Sequence, residues 1–124
     1  EYMSKLVDKA KKLKIGAGSE PSTEVTPLIS KNQVQRVSNY CKSGVQSGAT
    51  LTLGGVQNEN DEGNYFQPTI FDNVDTKATI AQEEIFGPVT TIFDFNNEEE
   101  AIEIANSTNY GLASGVFTSD DQKS

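Results

Sequence analysis

The run Gln82-Glu83-Glu84-Ile85-Phe86-Gly87-Pro88-Val89 sets two acids, an aromatic ring and a Gly-Pro break immediately ahead of a strand-like segment. A carboxylate at such a point can accept hydrogen bonds from hydroxyl groups, and a flat ring can lie against a planar ligand. Taken alone, adjacent acids are more often solvated surface charges. Other chemistry-bearing residues are few. Cys41 is the single cysteine and histidine is absent, which excludes an internal disulfide framework and a cysteine-based zinc site and leaves no partner for a hydrolytic triad. Cys41 falls with Val34, Val37 and Val45 on one face of a predicted helix, where a packed, inert thiol belongs. Gly16-Ala17-Gly18 has no strand before it and no helix after it, so it is not a phosphate-binding glycine motif.

The elements that would position these residues are legible from periodicity. Met3, Leu6, Val7, Ala10 and Leu13 recur at helical spacing, and Lys9, Lys11, Lys12 and Lys14 form the solvated face of that helix. Residues 19–27, rich in Ser, Thr, Glu and Pro, read as a loop. Ser30 with Gln33 fits a capping box at the start of a second helix, which Gly48 ends. Thr50-Leu51-Thr52-Leu53 alternates as a half-buried strand and Gly54-Gly55 turns it. Residues 58–64 suit an exposed loop, and residues 65–71 an extended segment in which Pro68 argues for an edge or irregular strand. The last third predicts strand over 90–95, helix over 98–106 and strand over 111–118. Asn97 serves there as N-cap, and Glu98, Glu99 and Glu100 complement the helix dipole. Asn109 to Gly111 would close that helix. This βαβ pattern implies α/β architecture, with mostly parallel strands flanked by helices.

Composition bounds the function. The 124 residues carry 10 Lys+Arg against 18 Asp+Glu, a formal charge of −8, which repels nucleic-acid phosphates and anionic membrane surfaces. Apolar residues make up 35% and mean hydropathy is −0.50, enough for one modest core. No apolar run approaches the roughly 20 residues that span a bilayer, and the N-terminus lacks signal-peptide order. A reducing compartment fits the single cysteine. Residues 1–6 already read as helix and residues 122–124 carry no stop signal, so the chain is expected to begin and end inside a larger protein.

In the order of its elements the chain resembles the aldehyde dehydrogenase superfamily from end to end. The resemblance is carried by Leu13-Lys14-Ile15-Gly16, Pro27-Leu28-Ile29, Gly48-Ala49, Gly54-Gly55, Tyr65-Phe66-Gln67-Pro68-Thr69, the run from Glu83 to Val89, and the stretch from Ala105 to Ala113. The Glu83 run is the most specific, and Asn106 to Leu112, an Asn-x-x-x-Tyr-Gly-Leu pattern, supports it independently. The resemblance implies part of a catalytic domain of an NAD- or NADP-dependent enzyme that oxidises an aldehyde to a carboxylic acid. In that family a cysteine thiolate attacks the aldehyde, hydride passes to the nicotinamide, and a glutamate assists thioester hydrolysis. None of those groups is matched here: the nucleophile's segment would lie before Glu1, and Cys41 is outside its motif.

The resemblance does transfer a cofactor-binding set. Glu84 matches the glutamate that accepts from the nicotinamide-ribose hydroxyls, and Phe86 the aromatic residue beside the nicotinamide. Gln33 and Arg36 stand near the ribose and diphosphate, with Arg36 in place of the usual Lys. Gln33 as a helix cap and Arg36 as a solvated helix residue are their structural alternatives. A small aldehyde substrate, a homodimeric or homotetrameric parent, and a cytoplasmic or mitochondrial-matrix location are further expectations, with neither nucleic acid nor membrane as partner. The rival reading is a stand-alone, non-catalytic antigenic or interaction module.

Overall fold

A computed structural model describes residues 1–57 and 63–120; most of the loop expected over 58–64 lies outside the described residues. The chain order is α1 (Tyr2–Ala10), α2 (Lys31–Gln46), β1 (Thr50–Leu53), β2 (Thr69–Asp72), α3 (Thr79–Gln82), β3 (Val89–Thr91) and α4 (Glu98–Ala105). The three strands form one sheet in the order β1-β2-β3. Thr69, Ile70 and Phe71 of β2 run parallel to Val89, Thr90 and Thr91 of β3, while β1 pairs antiparallel with a bulge between Leu51 and Leu53. The α/β expectation is met, with a sheet that is small and mixed.

The βαβ unit is real but is displaced along the chain. Its parallel strands are β2 and β3, and the crossover between them contains α3, a four-residue helix without a capping side chain. Residues 111–118 form no strand: Leu112, Val116 and Phe117 are exposed, and no strand pairs with them among the described residues. β3 is shorter than the expected 90–95, although Ile92 N–H still donates to Phe71 carbonyl at 2.9 Å. Of the edge or irregular strand expected at Pro68, the edge is not found, because β2 is the central strand, while residues 65–68 are irregular apart from a single bridge from Phe66 to Gln57. The proline sits one residue ahead of β2, where its missing N–H removes no ladder bond, and the ladder begins with Thr69 N–H donating to Pro88 carbonyl at 2.8 Å. The outer strands of this sheet are β1 and β3, and β1 is largely exposed.

The core lies where α2 crosses β2. Val34, Val37 and Cys41 descend from the helix onto Phe71, with Phe66, Ala49, Val74, Ile80 and Ile85 completing the cluster. Burying Phe71 and Phe66 contributes roughly 1.5–3 kcal/mol each. Ile70, pointing to the opposite face of the pleat, is buried as well. The stripe on α2 continues through Gly44, not through Val45, which is 52% exposed. The reason is proximity: a Cβ on Gly44 would stand 2.8 Å from Ile80 Cδ1 and 3.1 Å from the Phe71 ring. Only a residue without a side chain lets the helix come that close to the sheet.

Caps hold the helices largely as their sequences predict. Ser30 Oγ accepts from Gln33 N–H at 3.2 Å, and Asn97 Oδ1 from Glu100 N–H at 2.9 Å. The Glu100 carboxylate accepts from the Asn96 backbone and side-chain N–H groups, which hold its pKa below the ordinary Glu value. α1 ends at Ala10, before Leu13, and buries no residue fully. α4 ends at Ala105, and Asn106, rather than 109–111, closes it by donating its side-chain amide to Ile102 carbonyl at 2.9 Å.

Candidate cofactor-contact site

Leaving α3, the chain passes over the first turns of α2 and turns into β3. Ile85 drives this passage by burying its side chain in the core, so its neighbours Glu84 and Phe86 are left facing outward. Gly87 then seats on α2, where an added Cβ would lie 2.6 Å from Cγ2 of the fully buried Val37. Phe86 holds φ +57, a left-handed backbone unusual for an aromatic residue, and the residue is 69% exposed. An exposed ring on a strained backbone is a local conflict of the kind that collects at binding sites.

The spacing on α2 puts Gln33, Arg36 and Tyr40 on one helix face, three and four residues apart. That face holds the turn through its backbone. The Gln33 amide donates to the carbonyls of Ile85 at 3.1 Å and Phe86 at 3.0 Å. Gln33 therefore provides only the backbone half of the expected capping box, since its side chain reaches across the fold instead of back to Ser30. Arg36 Nη2 makes long hydrogen bonds of 3.3 Å to Glu84 carbonyl and to the Tyr40 hydroxyl. The guanidinium also stands 5.5 Å from the centre of the Tyr40 ring. Its pKa is raised above the usual Arg value, first by the hydrogen bond to Tyr40.

The two acids separate into different roles. Glu83 accepts from the Tyr40 hydroxyl at 2.7 Å. Glu84 is held only by its backbone, its N–H donating to the Tyr110 hydroxyl at 3.4 Å and its carbonyl accepting from Arg36. Its exposed carboxylate has no hydrogen-bond or ion-pair partner among the described residues. Glu84, Phe86 and Gly87 border an open depression of about 400 Å³, whose other wall includes Thr90 and Thr91. The structure thus brings Gln33, Arg36, Glu84 and Phe86 into one neighbourhood, with Glu84 and Phe86 presenting free groups and Gln33 and Arg36 turned to main-chain carbonyls. Tyr40 and Tyr110 are additional members. Tyr40 could be read from its i+4 spacing to Arg36, whereas nothing local ties Tyr110 to Glu84.

Among the described residues the arrangement offers groups that suit binding. A free carboxylate offers acceptors to a pair of hydroxyls, and the exposed ring offers a flat apolar surface. Cys41 is 3% exposed on the core side of α2, and desolvation pushes its thiol pKa up to about 11, the opposite of an activated nucleophile. Among the described residues no group of three His, Cys, Asp or Glu side chains could hold a metal.

The profile of the aldehyde dehydrogenase family matches residues 1–124. Betaine aldehyde dehydrogenase of Bacillus subtilis is 43% identical over 126 aligned residues, which take in 99% of this chain and 26% of that protein. Among solved structures, an aldehyde dehydrogenase of Mycobacterium tuberculosis complexed with NAD+ superposes with a TM-score of 0.93 at 45% identity, over 98% of this chain and 25% of that one. Betaine aldehyde dehydrogenase of Staphylococcus aureus in complex with NAD+ gives a TM-score of 0.94 at 40% identity, over 98% and 25%. The chain spans about a quarter of the length of the curated relatives it matches. A match along every residue, together with the same backbone, establishes that the chain belongs to the aldehyde dehydrogenase family.

Proposed function

We propose that this segment forms the nicotinamide-ribose contact of an NAD+-dependent aldehyde dehydrogenase, a longer polypeptide that oxidises an aldehyde to a carboxylic acid. The observation that carries the reading is Glu84: both of its backbone polar groups are held while its carboxylate is left without a partner among the described residues. A carboxylate kept free on a braced main chain suits a pair of ribose hydroxyls, and the neighbouring Phe86 ring suits the face or edge of the nicotinamide. The NAD+ complexes among the structural neighbours support NAD+ as the cofactor. When bound, that cofactor supplies the hydride acceptor; the residues of this segment orient it and do not exchange protons with substrate.

A homodimer or homotetramer, and a place in the cytoplasm or mitochondrial matrix, are proposed from the family resemblance. Among the described residues no helix is long and apolar enough to cross a membrane. The test is to assay the full-length polypeptide carrying this segment with NAD+, NADP+ and a panel of short, cationic and aromatic aldehydes. Aldehyde-dependent cofactor reduction that survives Cys41→Ala is the expected result. Absence of turnover with every aldehyde and both cofactors would overturn the proposal.

A further inference from the structure

The left-handed backbone at Phe86 needs something to hold it, because an L-residue with a bulky side chain reaches φ +57 only at a steric cost. Burial of Ile85 and the close seat of Gly87 fix where the turn lies. Neither of these apolar contacts bonds a carbonyl of the turn. The Gln33 amide does, since its two protons go to the two successive carbonyls of Ile85 and Phe86. One NH2 group has only two protons to give, and both are used.

We propose that Gln33 is a positioning residue that locks Phe86 in its left-handed conformation, and thereby aims the Phe86 ring and the Glu84 carboxylate, instead of acting as a ligand for cofactor hydroxyls. The proposal rests on the cofactor-contact reading above. The two roles make different demands. A ligand for hydroxyls can work through an acceptor alone, which a glutamate at this position keeps. A clamp on two carbonyls needs two donors, which an ionised glutamate lacks and a protonated one half restores.

The test uses Gln33→Glu and the neutral, similarly sized Gln33→Met in the full-length polypeptide, each read by crystal structure and by cofactor kinetics. The expected result is a Phe86 backbone that leaves positive φ in Gln33→Met and in Gln33→Glu at neutral pH. The hydride-transfer rate should fall by roughly ten-fold or more, the scale expected when a reacting group is misplaced by a fraction of an ångström to an ångström. The dissociation constant for NAD+ should change much less, and Gln33→Glu alone should recover rate as the pH is lowered, because its carboxyl, facing two carbonyl oxygens, regains a proton. An unchanged Phe86 φ in both variants would overturn the clamp, and so would weakened NAD+ binding at an unchanged hydride-transfer rate. If the wild-type polypeptide reduces no cofactor, the cofactor-contact reading fails by itself, and the Phe86 backbone in the variants still decides the clamp.

Discussion

Gly87 and Val37 lie so close that a single added carbon would collide: a Cβ on Gly87 would stand 2.6 Å from Val37 Cγ2. Val37 cannot swing aside, because it is completely buried and β-branched. Gly87→Ala should therefore lift the turn from α2 and destabilise the protein by about 1–3 kcal/mol, the usual cost of overpacking. Chemical denaturation of the variant measures this. A stability within experimental error of wild type would show that the turn is not seated on the helix as described.

Among the described residues Thr69 is the one polar residue with a fully buried side chain, and its hydroxyl ties the Gly54-Gly55 turn to the start of β2. It accepts from Gly55 N–H at 2.9 Å and donates to Gln67 carbonyl at 2.8 Å. Thr69→Val keeps the shape and leaves both groups without a partner, a loss of about 1–3 kcal/mol. Thr69→Ser retains the hydroxyl and should be the milder variant. If serine proved the more damaging, methyl packing and not hydrogen bonding would be the main contribution.

Cys41 predicts an alkaline limit. Its folded thiol is pushed up to about 11, while in the unfolded chain it ionises near the ordinary cysteine value of about 8.5. Between those values the unfolded state binds fewer protons than the folded one, so the contribution is intact below about 8.5 and is lost as pH rises through 11. Denaturation at stepped pH should show wild type losing more stability across this window than Cys41→Ala. The native thiol should also resist alkylation until the chain unfolds. Rapid labelling under native conditions would contradict its placement in the core.

Local signals reached the parts of the fold that are locally determined. Ser30 and Asn97 announce α2 and α4 because a side-chain acceptor at an N-cap is a short-range contact. α3 is four residues long and has Ala78 at its N-cap position, so it offers neither a capping side chain nor a full period of apolar residues. Residues 111–118 carry β-forming residues but gain no strand partner among the described residues, and a strand exists only through its pairing. For α2 the buried face was legible, but not that it would approach the sheet through Gly44 in preference to Val45. At the site, Glu84 and Phe86 stand in a recognisable run. The contacts that shape it join residues 52 and 53 positions apart for Gln33 and 26 apart for Tyr110. No spacing pattern along the chain encodes such a contact.

The most direct measurement is the hydride-transfer rate and NAD+ affinity of Glu84→Gln in the full-length polypeptide, taken with the rate at which its nucleophilic thiol is alkylated. The neutral isostere keeps the volume and the braced backbone and removes the charge that would receive the ribose hydroxyls. Charge-assisted hydrogen bonds of this kind contribute about 1.5–3 kcal/mol, so a loss of roughly ten-fold or more in cofactor-dependent efficiency is predicted, with thiol reactivity and folding unchanged. Wild-type cofactor kinetics in that variant would contradict the account and remove Glu84 from the site.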